Sequence, residues 1–166
     1  MNDDRDLFQL AVKVGAHLRE AEARIVTAES CTGGWVAKAL TDVEGSSDWF
    51  LCGLVVYSNV LKQSLLGVLP SALAQHGAVS EEVAREMAIG ALETLGGRVA
   101  LSVTGIAGPG GAQPGKPVGT VWFGWVWRDE GEIRSRVLRE HFDGDRETVR
   151  RQTVARALRE VLQIQL

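Results

Sequence analysis

Cysteine is scarce. Cys31 and Cys52 are the only two in 166 residues, which excludes a disulfide framework and leaves reduced thiols as the default. The three histidines, His17, His76 and His141, lie far apart and in no HExxH or Cx2C spacing, so nothing local points to a metal and none is expected. Basic residues are not in excess: the net charge is −3, which argues against a general nucleic-acid binder while leaving room for a small basic phosphate pocket. No apolar run approaches the ~20 residues of a membrane span. The acidic opening MNDDRDLFQL has neither the basic nor the apolar region of a signal peptide. A cytoplasmic chain that binds neither nucleic acid nor membrane is expected. What is present, 45% hydrophobic and 23% charged residues, fits one ordinary globular domain spanning residues 1–166, with no repeat or linker.

Apolar periodicity orders that domain. Leu7, Leu10, Ala11, Val14 and Leu18 recur at helical spacing and predict a helix over 4–22. RIVTA (24–28) is short and β-branched, a strand that ends in ESCTGG, and WVAKALTDV then reads as a short helix. WFLCGLVVYS (49–58) is apolar almost without interruption, as in a strand covered on both faces. A short helix follows near 60–67. Ser80 is an N-cap before EEVAREMAIGALETL. RVALSVT is the next strand, and it runs into the irregular GIAGPGGAQPGKPVG. TVWFGWVW and EIRSRVLREHF, joined through Asp129-Glu130-Gly131, predict an antiparallel hairpin. A last helix starts near Asp145. This order predicts a three-layer α/β/α fold with a mixed, partly parallel sheet. Ligands in such sheets bind beyond the carboxyl ends of parallel strands. Three loops are therefore expected to converge: ESCTGG, the exit through Tyr57-Ser58-Asn59, and TGIAGPGG.

Taken singly, the polar residues in these loops have ordinary explanations. Ser30 fits a helix cap, Cys31 a small buried thiol, and Lys62 a solvated side chain. Thr104-Gly105 fits a strand end, and Arg146, Arg150 and Arg151 the outer face of a helix. The tryptophans at 122, 125 and 127 fall on both faces of one strand and fit core or a dimer contact. Gly110 to Gly115-Lys116 resembles a P-loop, but Pro117 stands where the Mg²⁺-binding hydroxyl belongs, and a strand rather than a helix follows.

Together the segments carry a resemblance. TAESCTGG, VVYSNVLKQSLLGV, GAVSEEVAREMA, TGIAGPGG with KPVGTV, and FDGDRETVRRQTVARAL fall in order between residues 27 and 158. They resemble the CinA C-terminal-domain family, the nicotinamide-mononucleotide amidases, in its stand-alone form. Larger members carry an additional N-terminal domain. Ala112 stands where the family's loop often continues with glycine. The resemblance implies hydrolysis of the nicotinamide carboxamide to nicotinate mononucleotide and ammonia, without a cofactor. It implies Ser30 as nucleophile, Lys62 as base and Tyr57 as an auxiliary hydroxyl.

The chemistry is consistent with those assignments. A serine hydroxyl is a weak nucleophile until a neighbour takes its proton, and a lysine does so only when neutral, which burial favours. The amides of Thr32, Gly33 and Gly34 are expected to face the developing oxyanion. Asn59, Thr104, Gly105 and Arg146 are expected to contact ribose or phosphate. Glu29 is left open between a cap and a residue that orients Lys62. A non-catalytic nucleotide-binding module and an amidase of different substrate remain alternatives, and a homodimer or higher homo-oligomer is expected.

Overall fold

A computed structural model describes residues 3–166; Met1 and Asn2, part of the expected 1–166 domain, lie outside them. Asp3 and Asp6 exchange side-chain and backbone hydrogen bonds in a capping box that starts helix α1 (Asp4–Glu20). Its buried stripe is Leu7, Ala11, Val14, Gly15 and Leu18, with Leu10 only partly buried. The chain continues through β1 (Ile25–Glu29), α2 (Trp35–Thr41), β2 (Phe50–Val55), α3 (Asn59–Leu66), α4 (Pro70–His76), α5 (Glu81–Leu95), β3 (Val99–Gly105), β4 (Thr120–Asp129), β5 (Glu132–His141) and α6 (Arg146–Val161). Ser80 and Asp145 cap α5 and α6 by accepting from the amides of Val83 and Thr148. Helix α4 was not anticipated, although Leu69-Pro70 carries its signal: proline at the first helical position lacks only an amide that would have had no partner. Among the described residues no helix is long and apolar enough to cross a membrane.

The five strands form one sheet in the order β2-β1-β3-β4-β5. β1 pairs in parallel with both β2 and β3, while β3–β4 and β4–β5 are antiparallel. This is the expected mixed α/β sheet. Glu130 and Gly131, both at left-handed φ, turn the β4–β5 hairpin, as tight two-residue hairpin turns require. One face of the sheet packs against α1, α2 and α6 around Leu18, Leu101, Phe123, Trp125 and Leu158. The other packs against α3, α4 and α5 around Val26, Leu66, Met87, Leu92 and Val126. Trp125 is fully buried and donates its indole N–H to the Ala157 carbonyl, so it belongs to the core.

β2 departs from its expected environment. Its residues alternate between half-buried and exposed, because it is the edge strand and only β1 pairs with it. The strands buried along their length are β1 and β3, at the centre.

Two features of this arrangement place the site. Since β1, β2 and β3 are parallel, the loops that leave them share one end of the sheet, and β5 delivers α6 to that same end through the pairing of His141 with Thr120. In addition, α3 approaches α5 without an intervening side chain. A Cβ placed on Gly90 of α5 would lie 1.8 Å from the Leu66 carbonyl oxygen at the end of α3.

Candidate active site

Ser30 is the first residue beyond β1. Its amide donates to the Val103 carbonyl of β3 at 2.9 Å, which ties the residue to the sheet. The chain then reverses: the Gly33 amide donates back to the Ser30 carbonyl at 3.1 Å. Gly33 and Gly34 have φ of 61° and 92°, a left-handed pair that side chains with a Cβ resist. The glycine pair is therefore required by the turn itself.

Glu29 fills the role that the sequence left open. Its carboxylate accepts from the amides of Gly34 (3.1 Å), Val36 (2.9 Å) and Ala37 (2.8 Å). It thus caps α2, whose N-cap residue Gly34 has no side chain to do so. This corrects two expectations. Ser30 is not the cap of α2. The amides of Gly33 and Gly34 are already engaged, and cannot also be the free donors expected of them. The amides of this loop with no hydrogen-bond partner on another described residue are those of Cys31 and Thr32. They directly follow Ser30.

Lys62, expected as a base, lies in the first full turn of α3, where Ser58 caps the helix by accepting from Leu61. The side chain turns inward and is only 1% exposed. Its Nζ lies 3.2 Å from Ser30 Oγ, 2.9 Å from the Val56 carbonyl oxygen and 3.2 Å from the Tyr57 carbonyl oxygen. Among the described residues no carboxylate forms an ion pair with it. Burial holds the Lys62 ammonium below the ordinary lysine value, against a Coulombic pull from Cys31 in the other direction. Cys31 itself is inert by the same physics: burial pushes its thiol up to about 12, so no thiolate competes with the serine near neutral pH.

The remaining residues of the expected site fall at different depths. Tyr57 is mostly exposed. Its hydroxyl accepts from Arg146 Nη2 at 3.2 Å and, among the described residues, bonds to neither Ser30 nor Lys62. Arg146 also donates through Nη1 to the Gly108 carbonyl at 2.7 Å. It thereby bridges the exits of β2 and β3 from the first turn of α6. Thr104 is buried and its hydroxyl donates to the Ala78 carbonyl at 2.7 Å, while Gly105 lies against Val121 and the Thr120 carbonyl of β4. Thr32 is fully buried with its hydroxyl unpaired among the described residues. Asn59 is exposed at the start of α3. Lys116 donates to the His76 carbonyl.

Arg150 went unassigned in the sequence, where it reads as surface charge. It donates to the Thr32 carbonyl at 2.8 Å and lies over the Trp35 ring at 5.4 Å, bracing the reversed loop from α6. A contact across this much sequence leaves no local signal.

A buried amine against a hydroxyl, with two amides beside that hydroxyl that have no partner on another described residue, is an arrangement suited to acyl transfer. Comparison with known proteins adds the family. The CinA C-terminal domain model matches residues 7–165. A protein of Escherichia coli K12 named nicotinamide-nucleotide amidohydrolase PncC is 53% identical over 96% of this chain and 95% of its own. One of Pseudomonas putida with the same name is 52% identical over 93% and 94%. The crystal structure of competence damage-inducible protein A (ComA) from Klebsiella pneumoniae superposes with a TM-score of 0.88 at 38% identity, covering 95% of each chain.

Proposed function

The chain belongs to the CinA C-terminal domain family, and from that premise we propose that it hydrolyses the carboxamide of nicotinamide mononucleotide to nicotinate mononucleotide and ammonia. It does so in the cytoplasm, as a single unit over residues 1–166, through an acyl-serine intermediate. The observation that carries this reading is the 3.2 Å separation of Lys62 Nζ and Ser30 Oγ, with no carboxylate paired to the amine among the described residues.

A neutral amine has two N–H donors and one lone pair. The carbonyls of Val56 and Tyr57 take the two donors, which turns the lone pair toward the serine proton. Ser30 Oγ attacks the carboxamide carbon as its proton passes to Lys62. The oxyanion forms against the amides of Cys31 and Thr32. Lys62 then returns the proton to the leaving nitrogen, the C–N bond breaks and ammonia departs. Water attacks the acyl carbon and gives a proton to Lys62, which hands it to Ser30 Oγ as the ester bond breaks. Arg146, with three N–H donors beyond those engaged with Gly108 and Tyr57, holds the phosphate.

Incubation of the purified chain with nicotinamide mononucleotide in the absence of added metal is expected to release ammonia. Tight binding without ammonia would favour a non-catalytic module. Equal rates on nicotinamide and other amides that lack the ribosyl phosphate would favour an amidase of different substrate. Arg146→Ala is expected to raise KM for the mononucleotide by about tenfold to a hundredfold, the range for a lost charge-assisted hydrogen bond, with kcat changed far less. An unchanged KM removes Arg146 from the phosphate site.

A further inference from the structure

Arg150 carries a charge that no carboxylate cancels. On the same helix, Arg151 pairs with Asp4 and Glu147, and Arg156 with Glu140 and Glu160. Arg150 is half-buried, and among the described residues no carboxylate forms an ion pair with it. Its Nη2 donates instead to the Thr32 carbonyl at 2.8 Å. The guanidinium lies 5.4 Å from the centroid of the Trp35 ring, and that of Arg151 lies 4.9 Å from the same centroid, so the start of α2 helps to fix its place. A Cβ on Gly33 would lie 3.3 Å from Arg150 Nη2. Glycine thus also leaves the guanidinium its room.

The contact with Thr32 continues through the turn. The Thr32 carbonyl shares its peptide group with the Gly33 amide, which donates to the Ser30 carbonyl at 3.1 Å. The Ser30 carbonyl in turn shares its peptide group with the Cys31 amide, which has no partner on another described residue. Two peptide groups therefore stand in series between a cation and an N–H beside the reactive hydroxyl. Donors in such a chain polarise one another, the more so away from water, and a cation at its head leaves the far N–H a stronger donor.

The balance of charge in the turn makes that cation matter. Glu29 is buried and accepts from Gly34, Val36 and Ala37. A carboxylate so close opposes a second negative charge beside Ser30. The Cys31 thiol registers both influences: burial raises it most, Glu29 adds to the rise, and Arg150 and Arg146 pull it down.

We propose that Arg150 is a positioning residue for acyl transfer: through the Thr32–Gly33 and Ser30–Cys31 peptide groups it fixes and polarises the Cys31 N–H as an oxyanion donor, and it offsets Glu29 as the oxyanion forms. The inference rests on the amidase reading above. In this role Arg150 touches neither substrate nor reacting atoms, so it acts on turnover rather than on binding.

Arg150→Ala is expected to lower kcat for ammonia release from nicotinamide mononucleotide by about tenfold to a hundredfold, less than the loss of a donor that meets the oxyanion itself. KM is expected to stay close to native, the mark of an interaction made only in the transition state, and the opposite split from Arg146→Ala. Near-ultraviolet circular dichroism verifies the fold. Methylguanidinium and methylurea then separate charge from bracing, since both are planar N–H donors of similar shape and only the first is charged. Methylguanidinium is expected to restore kcat of Arg150→Ala severalfold, and methylurea to leave it unchanged. Equal rescue by both, or rescue by neither, overturns the inference. Arg150→Lys, which keeps the charge, is expected to retain more of kcat than Arg150→Gln, which keeps only a donor; the reverse order overturns it too. A native kcat in Arg150→Ala overturns the inference and leaves the amidase reading standing. A native chain that releases no ammonia removes that reading and the inference with it.

Discussion

Lys62→Met is expected to lower kcat for ammonia release by about 10²- to 10⁴-fold, the usual loss for a positioned general base, while the chain stays folded. Methionine keeps the length of the side chain inside its buried channel and removes only the amine. Lys62→Arg is expected to fail equally, since a guanidinium does not give up its proton in a protein. Ser30→Ala joins them, whereas Cys31→Ala is expected to remain active. The sign of the pH dependence follows from the neutral base. On the acid side kcat/KM falls as Lys62 takes a proton, through a pKa that burial sets below the ordinary lysine value. Stability follows the same group. Between that lowered value and the ordinary one, the unfolded chain binds a proton that the folded chain does not, so native stability rises with pH across the window. Denaturant titrations at several pH values are expected to show this rise in the native protein and its loss in Lys62→Met. Retention of activity in Lys62→Arg would end the proposed chemistry.

Gly90→Ala is expected to have the largest effect of any single methyl group away from the site. The new Cβ would meet the Leu66 carbonyl oxygen at 1.8 Å and its carbon at 2.6 Å. Both are backbone atoms, so no side chain can rotate to make room. Helix α3 must move away from α5, at a cost of about 2–3 kcal/mol, or about 5–10 °C in Tm for a domain of this size. Lys62 lies one turn before Leu66 on that helix, so its amine withdraws from Ser30. A thermal melt and a kcat measurement on one preparation check both consequences. Native values for both would show that α3 is not held where this contact places it.

Local pattern carried most of the fold. The stripe Leu7, Ala11, Val14, Leu18 and the caps at Ser80 and Asp145 are signals within a few residues, and the helices formed there. The parallel arrangement of the first three strands followed from helices between them, and it brought Ser30 and Lys62 to one end of the sheet. What the sequence did not reveal was set by tertiary position. The run 49–58 reads as a strand covered on both faces, but hydrophobicity alone does not distinguish a strand covered by helices from an edge strand. Of the three expected oxyanion donors only the Thr32 amide stays open, because the Gly33 amide donates to the Ser30 carbonyl and the Gly34 amide to Glu29, a geometry with no spacing rule of its own. Arg150 read as surface charge because its partner, Thr32, lies far away in sequence.

The close approach at Gly90 bears on how this chain tolerates change. In a library with all twenty residues at that position, selected for turnover, only glycine is expected to return, although the position touches no substrate and no reacting atom. Screens guided by distance from the catalytic serine would pass over it, and designs that widen the pocket by repacking α5 would lose the amine before they gained a new substrate.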